Sequence, residues 1–279
     1  PPVAFHFTPL PDVLIISPRD EIRVAASLTL DGVPADAREA IEAGVDADLD
    51  MSSLVVDIGG MALYPAMVGE TDWLTWAIET IAHEWVHHYL LFFPLGYNYL
   101  DGSQPETRAI NETTADLLGK EIARQVYARY YPELVPPPPP DDPALEEETP
   151  APTPEPEAEP DVFDFAAEMN ETRVTVDAML EAGEIEAAEA YMEARRDLFY
   201  ENGYVIRKLN QAFFAFYGGY QAEEDSFGAA GDDPIGPAVG DLRELSDSLA
   251  GFLFTIRSIT TTDDLLAAVE AARTVAETP

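Results

Sequence analysis

Apolar and polar positions change rhythm several times along the chain. The runs VLIIS (13–17) and EIRVAASLTL (21–30) are rich in β-branched residues and flank Pro18-Arg19-Asp20, a pattern that predicts a hairpin. Residues 35–48, ADAREAIEAGVDAD, have helix-forming composition and predict a short helix. The segment SSLVVDIGGMALYPAMV (52–68) is extended in character, and Gly59-Gly60 predicts a bulge or turn within it.

From Thr71 to about Phe93 the residues TDWLTWAIETIAHEWVHHYLLFF leave almost no polar face, which predicts a helix buried on most sides behind a Thr71-Asp72 cap. PLGYNYLDGSQ (94–104) reads as a loop, and Pro105 opens a second helix that runs to about Tyr131. Helices are predicted at 163–182, 184–217, 237–257 and 262–276. Their breaks fall at Gly183, at Gly218-Gly219, at GDDPIGP (231–237) and at a Thr260-Thr261-Thr262 cap. The pattern is that of an α+β protein, with a small N-terminal β-sheet beside a mainly helical core and a helical C-terminal part.

Between these parts the composition shifts. Residues 135–162 combine proline with acidic residues and lack basic and aromatic ones, so they read as an extended, disordered linker. The linker divides the chain into 1–134, 135–162 and 163–279. Each flank is thin alone, so the C-terminal part is expected to complete the core of the first.

At 279 residues and 47% hydrophobic, the chain has enough apolar material for a sizeable core. No run approaches the roughly 18 apolar residues of a membrane span. The start at Pro1 lacks the features of a signal peptide, which leaves room for an upstream anchor and suggests a trimmed or mature piece. The formal charge of −38 repels phosphate backbones, so nucleic acid is not an expected partner. Acidity and the linker together suggest extracytoplasmic or cell-surface exposure. With no cysteine, a transition metal would have to be held by His, Asp or Glu.

Only four histidines occur, and three of them stand in IAHEWVHHYLL (81–91). His83-Glu84-Trp85-Val86-His87 is an H-E-x-x-H motif. On a helix it places both imidazoles on one face, with Glu84 about 100° around, able to reach a metal-bound water without being a ligand. The competing reading makes both histidines satisfied core residues. Two uncompensated imidazoles in an apolar helix would cost desolvation twice, and a metal removes that cost. His88 points away from the ligand face and reads as a buried histidine bonded to backbone or carboxylate. A hydrolytic zinc needs a third protein ligand and one open position. His6 is remote and ranks low, whereas Glu112 and Asp116, at i, i+4 on the second helix, can supply one ligand and one hydrogen-bond acceptor for a ligand histidine.

H-E-W-V-H followed 25 residues later by N-E-T-T-A-D resembles the gluzincin zinc metallopeptidases, whose pattern is an H-E-x-x-H helix and an N-E-x-x-x-D helix. The resemblance implies a zinc-peptidase core that binds one Zn2+ through His83, His87 and Glu112. It further implies Glu84 as general base, Asp116 as the residue orienting a ligand histidine, and Asn111 as part of the motif. LNQAFFAFYGGYQ with DPIGP is similar to uncharacterised bacterial aminopeptidase-like proteins within that clan. Metzincins are excluded because Leu90 and Phe93 stand where they need Gly and His. A di-iron bundle is disfavoured because Glu84 to His87 is the lone E-x-x-H.

In gluzincins the strand before the zinc helix edges the cleft and pairs with an extended substrate. The matching element here is Gly59-Gly60-Met61-Ala62-Leu63-Tyr64-Pro65, with Gly60, Met61 and Ala62 as its substrate-binding residues. The large aminopeptidases carry at the position of Ala62 a glutamate that helps bind the free amino group, so an amine would need another acid; the competing reading is a structural Gly-rich bulge. Tyr217 and Tyr220, at a helix end before and after glycines, are candidates to stabilise the oxyanion, with Tyr204 and Arg207 as further choices and core packing as the competing role. The reading that results is a zinc-dependent, aminopeptidase-like hydrolase of peptide or protein substrates. Its alternative is a non-catalytic protein that keeps the metal for folding, peptide binding or surface interaction.

Overall fold

A computed structural model describes residues 1–101, 104–132, 163–221 and 229–276, and the linker expected at 135–162 lies outside the described residues. The architecture is mixed α+β. Strand β2 (Asp12–Ser17) is central, flanked antiparallel by β3 (Ala26–Leu30) and β4 (Ser52–Asp57), with Val13 opposite Thr29 and Val56. All six β2 residues are buried, because both faces of the strand are covered. Leu14 and Ile16, with Val55, pack toward helix α1 (Ala35–Leu49), while Val13 and Ile15, with Leu54 and Val56, face the C-terminal helices.

The hairpin is wider than its sequence predicts. β3 begins at Ala26 rather than Glu21, and residues 18–25 form a broad connection in which Ser17 Oγ donates to Glu21 O. The second sheet has the order β1-β6-β5, from Phe5–Phe7, Ala66–Val68 and Gly60–Met61. β6 pairs parallel with β1 and antiparallel with β5, which leaves β5 as an edge strand.

Helices α2 (Leu74–Leu90) and α4 (Pro105–Tyr130) form the pair that matters for the site. Their backbones pass close: a Cβ on Gly119 of α4 would stand 3.1 Å from His83 N and 3.2 Å from Glu79 O. Between them, Pro94–Asp101 is helical (α3), not a loop. Pro94 is suited to the first turn, Leu95 is fully buried, and the Leu95 N–H donates to Arg257 O, so contacts with the C-terminal part stabilise this short helix.

The helix expected over 184–217 is two, α6 (Ile185–Glu201) and α7 (Gln211–Tyr217), after α5 (Phe165–Glu181). Gly203 at φ +90° ends the first, and Asn210 caps the second by accepting from Phe213 N–H. The helix expected over 237–257 likewise divides into α8 (Ile235–Glu244) and α9 (Leu249–Ile256), because Ser248 caps Gly251 N–H; α10 (Thr262–Ala276) follows. α2 itself starts at Leu74 without a side-chain cap.

The two larger cores draw on chain from either side of residues 135–162. One joins α2, α3 and α4 to α8, α9 and α10, and the other joins the β2 sheet to α5, α6 and α7. No helix among the described residues is long and apolar enough to cross a membrane.

A buried carboxylate ties the second core together. Glu42 of α1 accepts from Val55 N–H at 2.6 Å and from both terminal nitrogens of Arg207 at 2.6 and 2.9 Å. Burial alone would raise its pKa, but the Arg207 fork, the Val55 amide and Lys208 outweigh it and hold the carboxyl below the ordinary value of 4.5. A depressed folded pKa means that this stabilisation is present above the unfolded value and lost as pH falls through the folded one. Glu42→Gln is therefore expected to cost about 3 kcal/mol at pH 7. In denaturant titrations at a series of pH values, the gap from wild type should close below pH 4.5; a gap independent of pH would refute the assignment.

Candidate metal centre

The H-E-x-x-H residues occupy the middle of α2, and one helical turn brings their rings together. His83 Nε2 and His87 Nε2 are 3.0 Å apart. Close packing of α2 against Gly119 carries the preceding turns of α4 to the same place, so that Glu112 Oε2 lies 3.5 Å from His83 Nε2 and 3.4 Å from His87 Nε2. Glu112 is buried, and its Oε2 has no hydrogen-bond partner.

A buried anionic oxygen without a donor is costly unless a cation is shared there. Ligand atoms on a tetrahedral zinc stand about 3.3 Å apart at normal zinc–nitrogen and zinc–oxygen lengths. The three separations bracket that spacing. His83, His87 and Glu112 are thus a group compatible with one metal ion, and it is the sole such group among the described residues. His6 stands exposed on β1, away from it.

The ring of His87 is fixed by Asn111. Its Nδ1–H donates to Asn111 Oδ1 at 2.7 Å, while Asn111 Nδ2 donates to Leu95 O, so Nε2 is the nitrogen turned toward His83 and Glu112. For His87 the orienting bond comes from Asn111. Asp116 accepts from Lys120 Nζ at 3.1 Å on the wall of the cleft.

Two residues without a signature in the motif complete the surroundings of Glu112. Tyr99 of α3 donates its hydroxyl to Glu112 Oε1 at 2.6 Å and stacks on His87, with ring centroids 5.6 Å apart. Arg108 Nη1 is 3.5 Å from the same oxygen. Against burial, which would raise it, the two histidines and Arg108 hold the Glu112 carboxyl well below its usual range. The i, i+4 relation to Glu112 could have flagged Arg108; Tyr99 lay in a segment read as a loop.

No family model, curated protein or solved structure matches this chain.

Glu84 is buried beside the group on the cleft side of α2, and burial pushes its carboxyl up to about 7, with Glu112 adding to the shift and His87 opposing it. The edge strand runs directly against it. A Cβ on Gly60 would stand 2.1 Å from Glu84 Oε1, so a side chain here would have to displace the end of Glu84. Met61 is half-buried and Ala62 exposed at the end of the strand.

The cleft has a volume of about 510 Å³, and Gly60, His83, Glu84, Asp116, Tyr217 and Tyr220 all line it. Tyr220 lies nearly parallel to the His83 ring at 6.4 Å, whereas Tyr217 packs on Phe213 at 4.6 Å and is raised in pKa by burial and Asp57. Tyr204 packs on Phe165 at 4.5 Å and Arg207 binds Glu42, which places both outside the site. His88 donates from Nε2 to Leu63 O at 2.5 Å and meets the Tyr64 ring edge-on, tying α2 to the connection after β5.

Proposed function

We propose that this chain is a zinc-dependent peptidase of the gluzincin type, with aminopeptidase-like action on an extended peptide. The observation that carries the reading is the conjunction of a His-His-Glu group with a buried glutamate on the cleft side and an edge strand whose Gly60 lies against that glutamate without a side chain. Two imidazoles and one carboxylate are a donor set of hydrolytic zinc, which supplies Lewis acidity to the scissile carbonyl and acidifies the attacking water.

The protein groups then have separate tasks. Glu84 takes a proton from water as the water oxygen bonds to the carbonyl carbon, and it delivers that proton to the amine as the C–N bond breaks. Tyr220, beside His83, donates its O–H to the developing oxyanion, and Tyr217 shapes the wall. The β5 main chain at Gly60 and Met61 holds the substrate by strand addition.

Turnover of a peptide library, suppressed by a chelator and restored by Zn2+, tests the reading. Blocking the library's amino termini separates exopeptidase from endopeptidase action. Zinc bound by four protein groups with no turnover of any peptide would instead favour the non-catalytic alternative.

A smaller change probes the strand. Gly60→Ala forces the flexible end of Glu84 aside rather than the backbone, so hydrolysis should fall about 100-fold, the scale of a misplacement near 1 Å. The melting temperature and bound zinc should stay near wild type; unchanged hydrolysis would refute the close approach.

A further inference from the structure

We infer that Tyr99 and Arg108 are positioning residues for the metal, clamping one oxygen of Glu112 so that the other is presented to the ion. The inference rests on the metal reading of His83, His87 and Glu112, and not on peptide hydrolysis.

The two carboxylate oxygens of Glu112 have opposite surroundings. Oε1 accepts the Tyr99 hydroxyl at 2.6 Å and faces the Arg108 guanidinium at 3.5 Å. Oε2 has no hydrogen-bond donor and faces both imidazole nitrogens. A free carboxylate can turn to exchange its oxygens; here the occupied one is pinned from two elements, α3 and α4.

The pins are themselves fixed. The Tyr99 ring lies within 19° of parallel to His87, so one residue braces a ligand on α2 and a ligand on α4. Arg108 lies over the Phe216 ring, its guanidinium carbon 5.7 Å from the ring centroid. Arg108 also offsets the charge of Glu112, so the carboxylate is held in place by groups other than the cation. A site ordered in advance loses less freedom on binding, which favours affinity.

Tyr99→Phe removes the hydroxyl and keeps the ring on His87. Its test compares wild type, Tyr99→Phe, Arg108→Lys and Tyr97→Phe, the last removing the hydroxyl of an exposed tyrosine on the same helix. Zn2+ affinity is measured by competition with a chromophoric chelator, alongside the electronic spectrum of the Co2+-loaded protein and the melting temperature of the metal-free protein. Tyr99→Phe should weaken Zn2+ by about 10- to 100-fold and shift the Co2+ bands, and Arg108→Lys should weaken Zn2+ about tenfold. Tyr97→Phe should change neither.

A purely packing role would lower only the melting temperature. Wild-type affinity and an unmoved Co2+ spectrum in Tyr99→Phe would overturn the inference. If that variant does not fold, wild-type affinity in Arg108→Lys would do so. Wild-type protein that binds neither ion would overturn the metal reading itself, a result visible before any variant is compared.

Discussion

Glu84→Gln is expected to reduce peptide turnover by about 1,000-fold, within the range set by loss of a general base, while bound zinc stays at the wild-type level. The amide preserves the volume of the carboxylate against the Gly60 backbone, so the strand and the cleft should keep their shape. It has no basic oxygen that can take a proton from water and later give one to the amine. The metal-compatible group is made of His83, His87 and Glu112 and does not include Glu84, so metal content should be indifferent to the change. Steady-state turnover with a fluorogenic peptide library, read beside metal analysis of the same sample, provides the test. Retained hydrolysis would remove Glu84 from the mechanism, and lost zinc would make it a ligand.

Glu112→Gln has the complementary signature. A neutral amide oxygen replaces the one anionic ligand of the group, and Zn2+ affinity should fall by about three orders of magnitude, a ligand's share of a zinc site's binding free energy. Turnover at limiting zinc should fall with it and recover partly at high zinc. The metal-free fold should also weaken, because Arg108 would lose its carboxylate partner in a mostly buried position. Chelator competition and thermal melts separate the two effects. Affinity within a factor of a few of wild type would exclude Glu112 as a ligand. Taken together, the two glutamate variants distinguish a base from a ligand, because one is expected to lose turnover with its metal and the other without.

What could be read from residue order was whatever a single helix or strand repeats. H-E-x-x-H is a statement about one turn of helix, and the rings of His83 and His87 do meet as that turn requires. The continuous apolar β2 run reflects a strand covered on both faces. Helix ends set by a third dimension were less legible. Asn202-Gly203 was a visible stop signal inside a predicted helix, and helical periodicity on both sides masked it. α3 owes its place to Leu95 in the core and to the carbonyl of Arg257, a partner more than 150 residues away in sequence.

The sequence by itself determined the fold class, the two site helices and the pairing of His83 with His87, because helical spacing sets which side chains of one helix share a face; it left Glu112 and Asp116 as candidates on the second helix, and only the motif resemblance chose Glu112. The tertiary structure decided which groups converge on that face. Close passage of α2 over Gly119 brings Glu112 to the histidines, Asn111 fixes the ring of His87, and Tyr99 arrives from a helix that local propensity did not predict. It also set the bare backbone of Gly60 against Glu84. These are distances between elements, fixed by packing in a shared core, and no periodicity within one element encodes them.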